Sequence, residues 1–110
     1  MPATPIPTRS RQVVLERDKR CVRCGASGQV QWHHRRSRRV IDEHVHCACN
    51  GVLLCPACHS YVHATPADAR ARGLIVSSFI DEPHTIPVKT YRGWETHDCV
   101  GQRMPFPTNG

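Results

Sequence analysis

Val52-Leu53-Leu54-Cys55-Pro56-Ala57-Cys58-His59-Ser60-Tyr61-Val62-His63 is the stretch that decides the fold. Three apolar residues in a row suit a short buried strand. Pro56 then suits the first turn of a helix, where its missing N–H leaves nothing unpaired. The helix is predicted to run to His63 or Ala64. It carries Cys55 and Cys58 at its start. His59 and His63 lie one turn apart, so their imidazoles share a face. One short element therefore offers thiols at one end and two imidazoles along one side.

Working outward, a second C-x-x-C pair stands upstream at Cys21-Val22-Arg23-Cys24. Two such pairs far apart in sequence fit a four-thiolate site for structural zinc, which prefers tetrahedral sulfur ligands and leaves no open position. Cys21, Cys24, Cys55 and Cys58 are the expected ligands. His59 is the competing ligand should one cysteine drop out. Cys47 or Cys49 could replace a thiol of that set; otherwise Cys47-Ala48-Cys49 reads as a pair of loop cysteines, because C-x-C is a poor chelate geometry for a second zinc. Cys99 reads as a small apolar filler, and His44 and His46 as solvated loop residues.

Between the pairs, Gln29 to His34 alternates as a short strand, with Val30 and Trp32 on one face. Adjacent strand residues point to opposite faces, so His33 and His34 cannot both ligate one metal from a regular strand. Thr8 or Ser10 is expected to cap a helix running to about Lys19. Thr65-Pro66 opens a further helix, residues 67–72, ended by Gly73. Leu74 to Val76 reads as a strand. Val88 to Tyr91, turning at Arg92-Gly93 into Trp94, reads as a closing hairpin. The division expected is a disordered tail at residues 1–8, one domain at 9–100 and a frayed tail at 101–110.

The chain has 110 residues, with 5% aromatics, nine prolines and seven glycines. A core of that size supplies only about 3–5 kcal/mol, so small scaffolds need a staple. A structural zinc is worth roughly 10–16 kcal/mol of apparent binding energy in zinc-finger peptides. Seven cysteines are an odd count, and the pairs have metal-ligand spacing, which argues against disulfides. The first residues have no apolar signal core. Reduced thiols imply a cytoplasmic protein. No apolar run approaches the roughly 18–20 residues of a membrane span.

The charge is uneven. Residues 1–39 hold ten Lys/Arg against two Asp/Glu; the remainder holds five against seven. Basic charge around the first cysteine pair and the double histidine suggests a polyanionic partner. Arg35, Arg36, Arg38 and Arg39 are the expected phosphate contacts, with Arg35 next to His34. The alternative DNA path runs along Arg9, Arg11, Arg17, Lys19 and Arg20.

The order Trp32-His33-His34-Arg35-Arg36, Asn50-Gly51-Val52-Leu53-Leu54-Cys55-Pro56-Ala57-Cys58-His59 and His63 resembles the HNH endonucleases of the ββα-metal, or His-Me finger, fold. Residues 67–88 also look like small HNH proteins of actinobacterial tailed phages. The resemblance implies a small α+β fold, a ββα-metal finger with a zinc-knuckle staple, flanking short helices and a C-terminal hairpin. It implies His34 as general base, a role suited to an imidazole near neutrality. It implies Asn50 as the residue that fixes the loop aiming that base. His33, His59 and His63 would hold a catalytic divalent metal (Mg2+, Mn2+, Ni2+ or Zn2+). The implied activity is metal-dependent hydrolysis of DNA phosphodiester bonds. A role in phage genome processing beside the packaging terminase, in the host cytoplasm, is implied by analogy. The competing reading is a non-catalytic zinc module that binds nucleic acid or a partner protein.

Overall fold

The computed structural model describes residues 5–77 and 82–107. Residues 1–4 and 108–110 of the expected tails lie outside that range. The fold is a small α+β arrangement with two antiparallel sheets. Helix α1 spans Thr8–Asp18. Strand β1 spans Gln31–His34 and strand β2 Gly51–Leu54, joined through a 3-10 turn at Ala48–Asn50. Helix α2 spans Pro56–Ala64 and helix α3 Pro66–Ala71. A second 3-10 turn at Pro83–Thr85 leads to β3 at Val88–Thr90, β4 at Gly93–His97 and β5 at Arg103–Pro105.

Pairing of β1 with β2 runs from Gln31 opposite Leu54 to His34 opposite Gly51. All of β2 is buried, and its alternation divides it between two clusters. Val52 and Leu54 face Cys58 and Val62 of α2 with Val22, Leu74 and Val88, while Leu53 faces Val14 of α1 with Trp32 alongside. A four-residue strand therefore serves as the shared wall of both halves of the core.

The end of α1 is clamped onto that wall by ionic groups. The buried guanidinium of Arg17 pairs with Asp18 at 2.7 Å and donates to the carbonyls of Ala48 (2.7 Å) and Gly51 (2.6 Å). Asp18 in turn accepts the Leu53 N–H at 3.0 Å. Arg17 is thus a structural residue and does not belong to an exposed DNA path.

Several sequence expectations need correction. Pro7 occupies the N-cap of α1, and neither Thr8 nor Ser10 provides a side-chain cap. Residues 74–76 form no strand; Val76 makes only an isolated parallel bridge to Arg36. The C-terminal hairpin is a three-stranded sheet, since β5 pairs with β4 through residues expected to fray. The β4–β5 turn is set by Asp98, whose carboxylate accepts the N–H groups of Val100 and Gln102. Gly101 in that turn has a φ of 89°, and a Cβ there would overlap Val13. Only glycine allows this turn to seat on α1. Gly73 ends α3 as expected, at a φ of 75°.

Candidate metal centre

Cys21 and Cys24 lie on a knuckle just past α1, closed by the Gly25 N–H on the Cys21 carbonyl (2.9 Å) and the Cys21 N–H on the Ala26 carbonyl (3.2 Å). Cys55 is the N-cap of α2 and Cys58 lies in its first turn. The four sulfurs lie within 4.8 Å of one another. Cys24 and Cys55 are 3.8 Å apart, the sulfur–sulfur edge of about 3.8 Å that a tetrahedron with bonds of about 2.3 Å requires. Arg23 donates to Cys58 Sγ at 3.4 Å and stacks on Tyr61. Burial raises the Cys21 thiol, but hydrogen bonds from the Cys24, Cys55 and Arg23 backbone outweigh it and bring it to about 7. Burial pushes Cys58 up to about 12. Four crowded thiols with opposed acidities are the donor set that a dication relieves by taking all of them as thiolates. The expected cysteine set therefore comes together as a centre that could hold a structural metal ion such as zinc.

The histidines divide between the two faces of β1, as the pleat dictates. Gln31 and His33 face α2. The rings of His33 and His59 are 5.7 Å apart, and those of His59 and His63 4.6 Å. His33 is buried, and its Nε2–H donates to the Leu74 carbonyl at 2.8 Å. A carbonyl only accepts, so this bond fixes the tautomer and leaves the Nδ1 lone pair available. Burial lowers the His33 pKa to about 4 and keeps the ring neutral. Gln31 meets His59 Nδ1 at 2.8 Å, and His59 Nε2 lies 3.1 Å from His63 Nε2. The trio shares one face, yet its ligand nitrogens do not all converge within 4.8 Å of one another.

Trp32 and His34 lie on the other face of β1. His34 opens on a cleft of about 580 Å³ lined also by Arg70, Ile75, Val76 and Ser77. Its pKa falls to about 4, first through burial and then through the positive charge of Arg38. Its Nε2 meets His46 Nδ1 at 3.1 Å. Asn50 is fully buried. Its Oδ1 accepts the Arg36 N–H at 2.7 Å, and its Nδ2 donates to the carbonyls of Arg36 (3.2 Å) and Val45 (3.1 Å). Asn50 thus ties both ends of the loop that follows His34.

The arginine segment differs from expectation. Arg35 is 1% exposed. It donates to the carbonyls of Gly73 (2.8 Å), Cys49 (3.1 Å), Pro83 (3.0 Å) and Ile86 (2.7 Å). Burial lowers its pKa to about 10, still charged at neutral pH. Arg36 is buried against Asp42 at 2.7 Å. Both guanidiniums are buried and hold loops together rather than lying exposed for phosphate. Arg38 and Arg39 are exposed.

Four residues dismissed from the sequence also come together. His44, Cys47, Cys49 and Cys99 place their ligand atoms within 4.8 Å of one another. Cys99 is no core filler: it is exposed and reaches its partners from beyond β4. His44 and His46 are half-buried with specific partners rather than solvated. The only sequence signal was the nearness of His44, Cys47 and Cys49; nothing in it linked them to Cys99. Comparison with protein-family models, curated proteins and solved structures gave no match to this chain.

Proposed function

We propose that the chain is a metal-dependent endonuclease of the HNH type, with β1, β2 and α2 as its ββα-metal finger, acting on DNA. The observation that carries this reading is the division of the double histidine. His33 turns toward His59 and His63, while His34 turns into the open cleft. Three neighbouring imidazoles on one face of the strand and a single imidazole on the other give each group a separate task.

His34 is the general base. It is neutral at pH 7, and in the tautomer whose Nε2–H donates to His46 Nδ1 its own Nδ1 carries the lone pair that takes a proton from water. The water oxygen attacks phosphorus, the P–O3′ bond breaks, and the products carry 5′-phosphate and 3′-hydroxyl ends. A phosphate in the cleft raises the His34 pKa from its low value toward the working range, because an opposite charge favours the imidazolium. His33, His59 and His63 would hold the divalent metal, which when bound stabilises negative charge on the phosphate and leaving oxygen. Asn50 and His46 keep His34 aimed. Arg38, Arg39 and Arg70 supply the backbone contacts, in place of Arg35 and Arg36.

The test is nicking of supercoiled plasmid with magnesium, manganese, nickel or zinc, against an EDTA control. Cleavage that needs metal and falls roughly 10²–10⁴-fold in His34→Ala is expected. No nicking with any of these metals would favour the binding-module reading. A His34→Ala rate within about threefold of wild type would remove His34 from the mechanism.

A further inference from the structure

We infer that His44, Cys47, Cys49 and Cys99 hold a second structural zinc, which staples the loop between β1 and β2 to the end of β4. Three observations support it. The first is the donor set. Three sulfurs and one imidazole nitrogen lie within 4.8 Å of one another, and both Cys49 Sγ and Cys99 Sγ are 3.7 Å from His44 Nδ1. Zinc takes Cys3His tetrahedrally, with Zn–S bonds of about 2.3 Å and Zn–N of about 2.0 Å, so nitrogen–sulfur edges near 3.5 Å are required. The four atoms already approximate them, and the sulfur content selects zinc over harder cations.

The second observation is that the loop is wound to bring these residues together. Asp42 accepts the His44 N–H at 2.8 Å, the His44 carbonyl accepts the Cys47 N–H at 3.1 Å, and the Cys47 carbonyl accepts the Asn50 N–H at 2.9 Å. These successive turns overcome the poor reach of C-x-C in an extended chain. The β4–β5 turn, seated on α1 through Gly101, delivers Cys99 from the far side of the sequence. The third is charge. Arg35 is buried, carries its charge against four carbonyls and has no carboxylate partner among the described residues. It sits on the Cys49 carbonyl. A dication with three thiolates has a net charge of −1, which places a compensating anion beside that guanidinium.

His44 also lies within reach of Glu82 and His84. A neutral imidazole has one lone pair, so His44 serves one set at a time. Three thiolates complete a tetrahedron with it, whereas Glu82 and His84 do not. The assignment stands whether or not the chain cleaves DNA.

Elemental analysis of the purified full chain tests it. Two zinc ions per chain are expected, falling to one in a Cys47→Ser/Cys99→Ser variant that keeps the Cys21–Cys58 site. Cobalt substitution of the wild type gives a second readout independent of how the variant folds. Thiolate-to-cobalt charge-transfer intensity should correspond to seven cobalt–sulfur bonds, the total of both sets. A single zinc in the wild type, two in the variant, cobalt intensity matching four bonds, or a Cys47–Cys99 disulfide in protein purified under reductant would each overturn it.

Discussion

The two cysteine clusters are assembled by different means. Cys21, Cys24, Cys55 and Cys58 come from two C-x-x-C segments, each of which brings its own pair together within one turn. His44, Cys47, Cys49 and Cys99 come from one wound loop and a turn 50 residues away. The first cluster adjoins the main core and ties α2 to the chain after α1. The second brings a loop beside the chain that follows β4. The difference shows that ligand spacing reports a candidate metal site only where the chelate is local. A site closed by tertiary contact leaves no spacing to read.

The largest effect that could break this comparison is in the first cluster. Cys58→Ala should leave no cooperative thermal transition, because a structural zinc carries roughly 10–16 kcal/mol of folding energy in small domains. A wild-type Tm without bound zinc would place the staple elsewhere. Cys99→Ser, by contrast, should keep a cooperative transition at a lower temperature.

Arg35→Ala comes next. It removes a buried guanidinium that joins the loop of the second cluster to Gly73, Pro83 and Ile86. Four carbonyls lose their donor, and a loss of about 3–5 kcal/mol is expected in urea unfolding. A loss below about 1 kcal/mol would mean that the Arg35 bonds do not hold that region.

The strand that delivers Cys99 has its own anchor. Buried Glu95 accepts from His97 (2.6 Å), Arg92 (2.8 Å) and Thr90 (3.2 Å). Burial alone would raise its pKa, but the hydrogen bonds from His97 and Arg92 win and lower it to about 2. A depressed carboxyl adds stability above its unfolded pKa and loses it as pH falls toward the folded one. The stability gap between wild type and Glu95→Gln should therefore be full above about pH 4.5 and close toward pH 2. A gap independent of pH would show that the carboxylate charge is not what anchors β4.

The smallest structural effect is expected at Arg38 and Arg39. Replacing both with Ala should change stability by no more than about 0.5 kcal/mol. It should weaken duplex binding equally across sequences and flatten the slope of log affinity against log salt by roughly 0.9 per phosphate contact. An unchanged slope would move the proposed DNA path to Arg9, Arg11, Lys19 and Arg20, which are exposed along and beyond α1.

Much of the fold was legible because its signals are local. Pro56 set the start of α2, Gly73 the end of α3, and Val52-Leu53-Leu54 the buried strand. The Arg92-Gly93 turn announced β3 and β4. Residues 103–105 were read as a frayed tail, since proline and exposed polar residues give no sign of the β4 edge that pairs with them. Arg35 and Arg36 were read as phosphate contacts for a similar reason. A run of arginines looks the same whether it meets solvent or four carbonyls.

The sequence by itself determined the elements around the double histidine, the two zinc-type knuckles and the alternation that sends His33 and His34 to opposite faces. Each depends on spacing within one strand, turn or helix. Tertiary structure alone decided which arginines are buried, that Asn50 clasps residues 36 and 45, that His46 meets His34, and that Cys99 joins His44, Cys47 and Cys49. Those outcomes depend on where distant backbone comes to rest. A buried charge, an orphan carboxamide or a fourth ligand finds its partner only after the chain has closed around it.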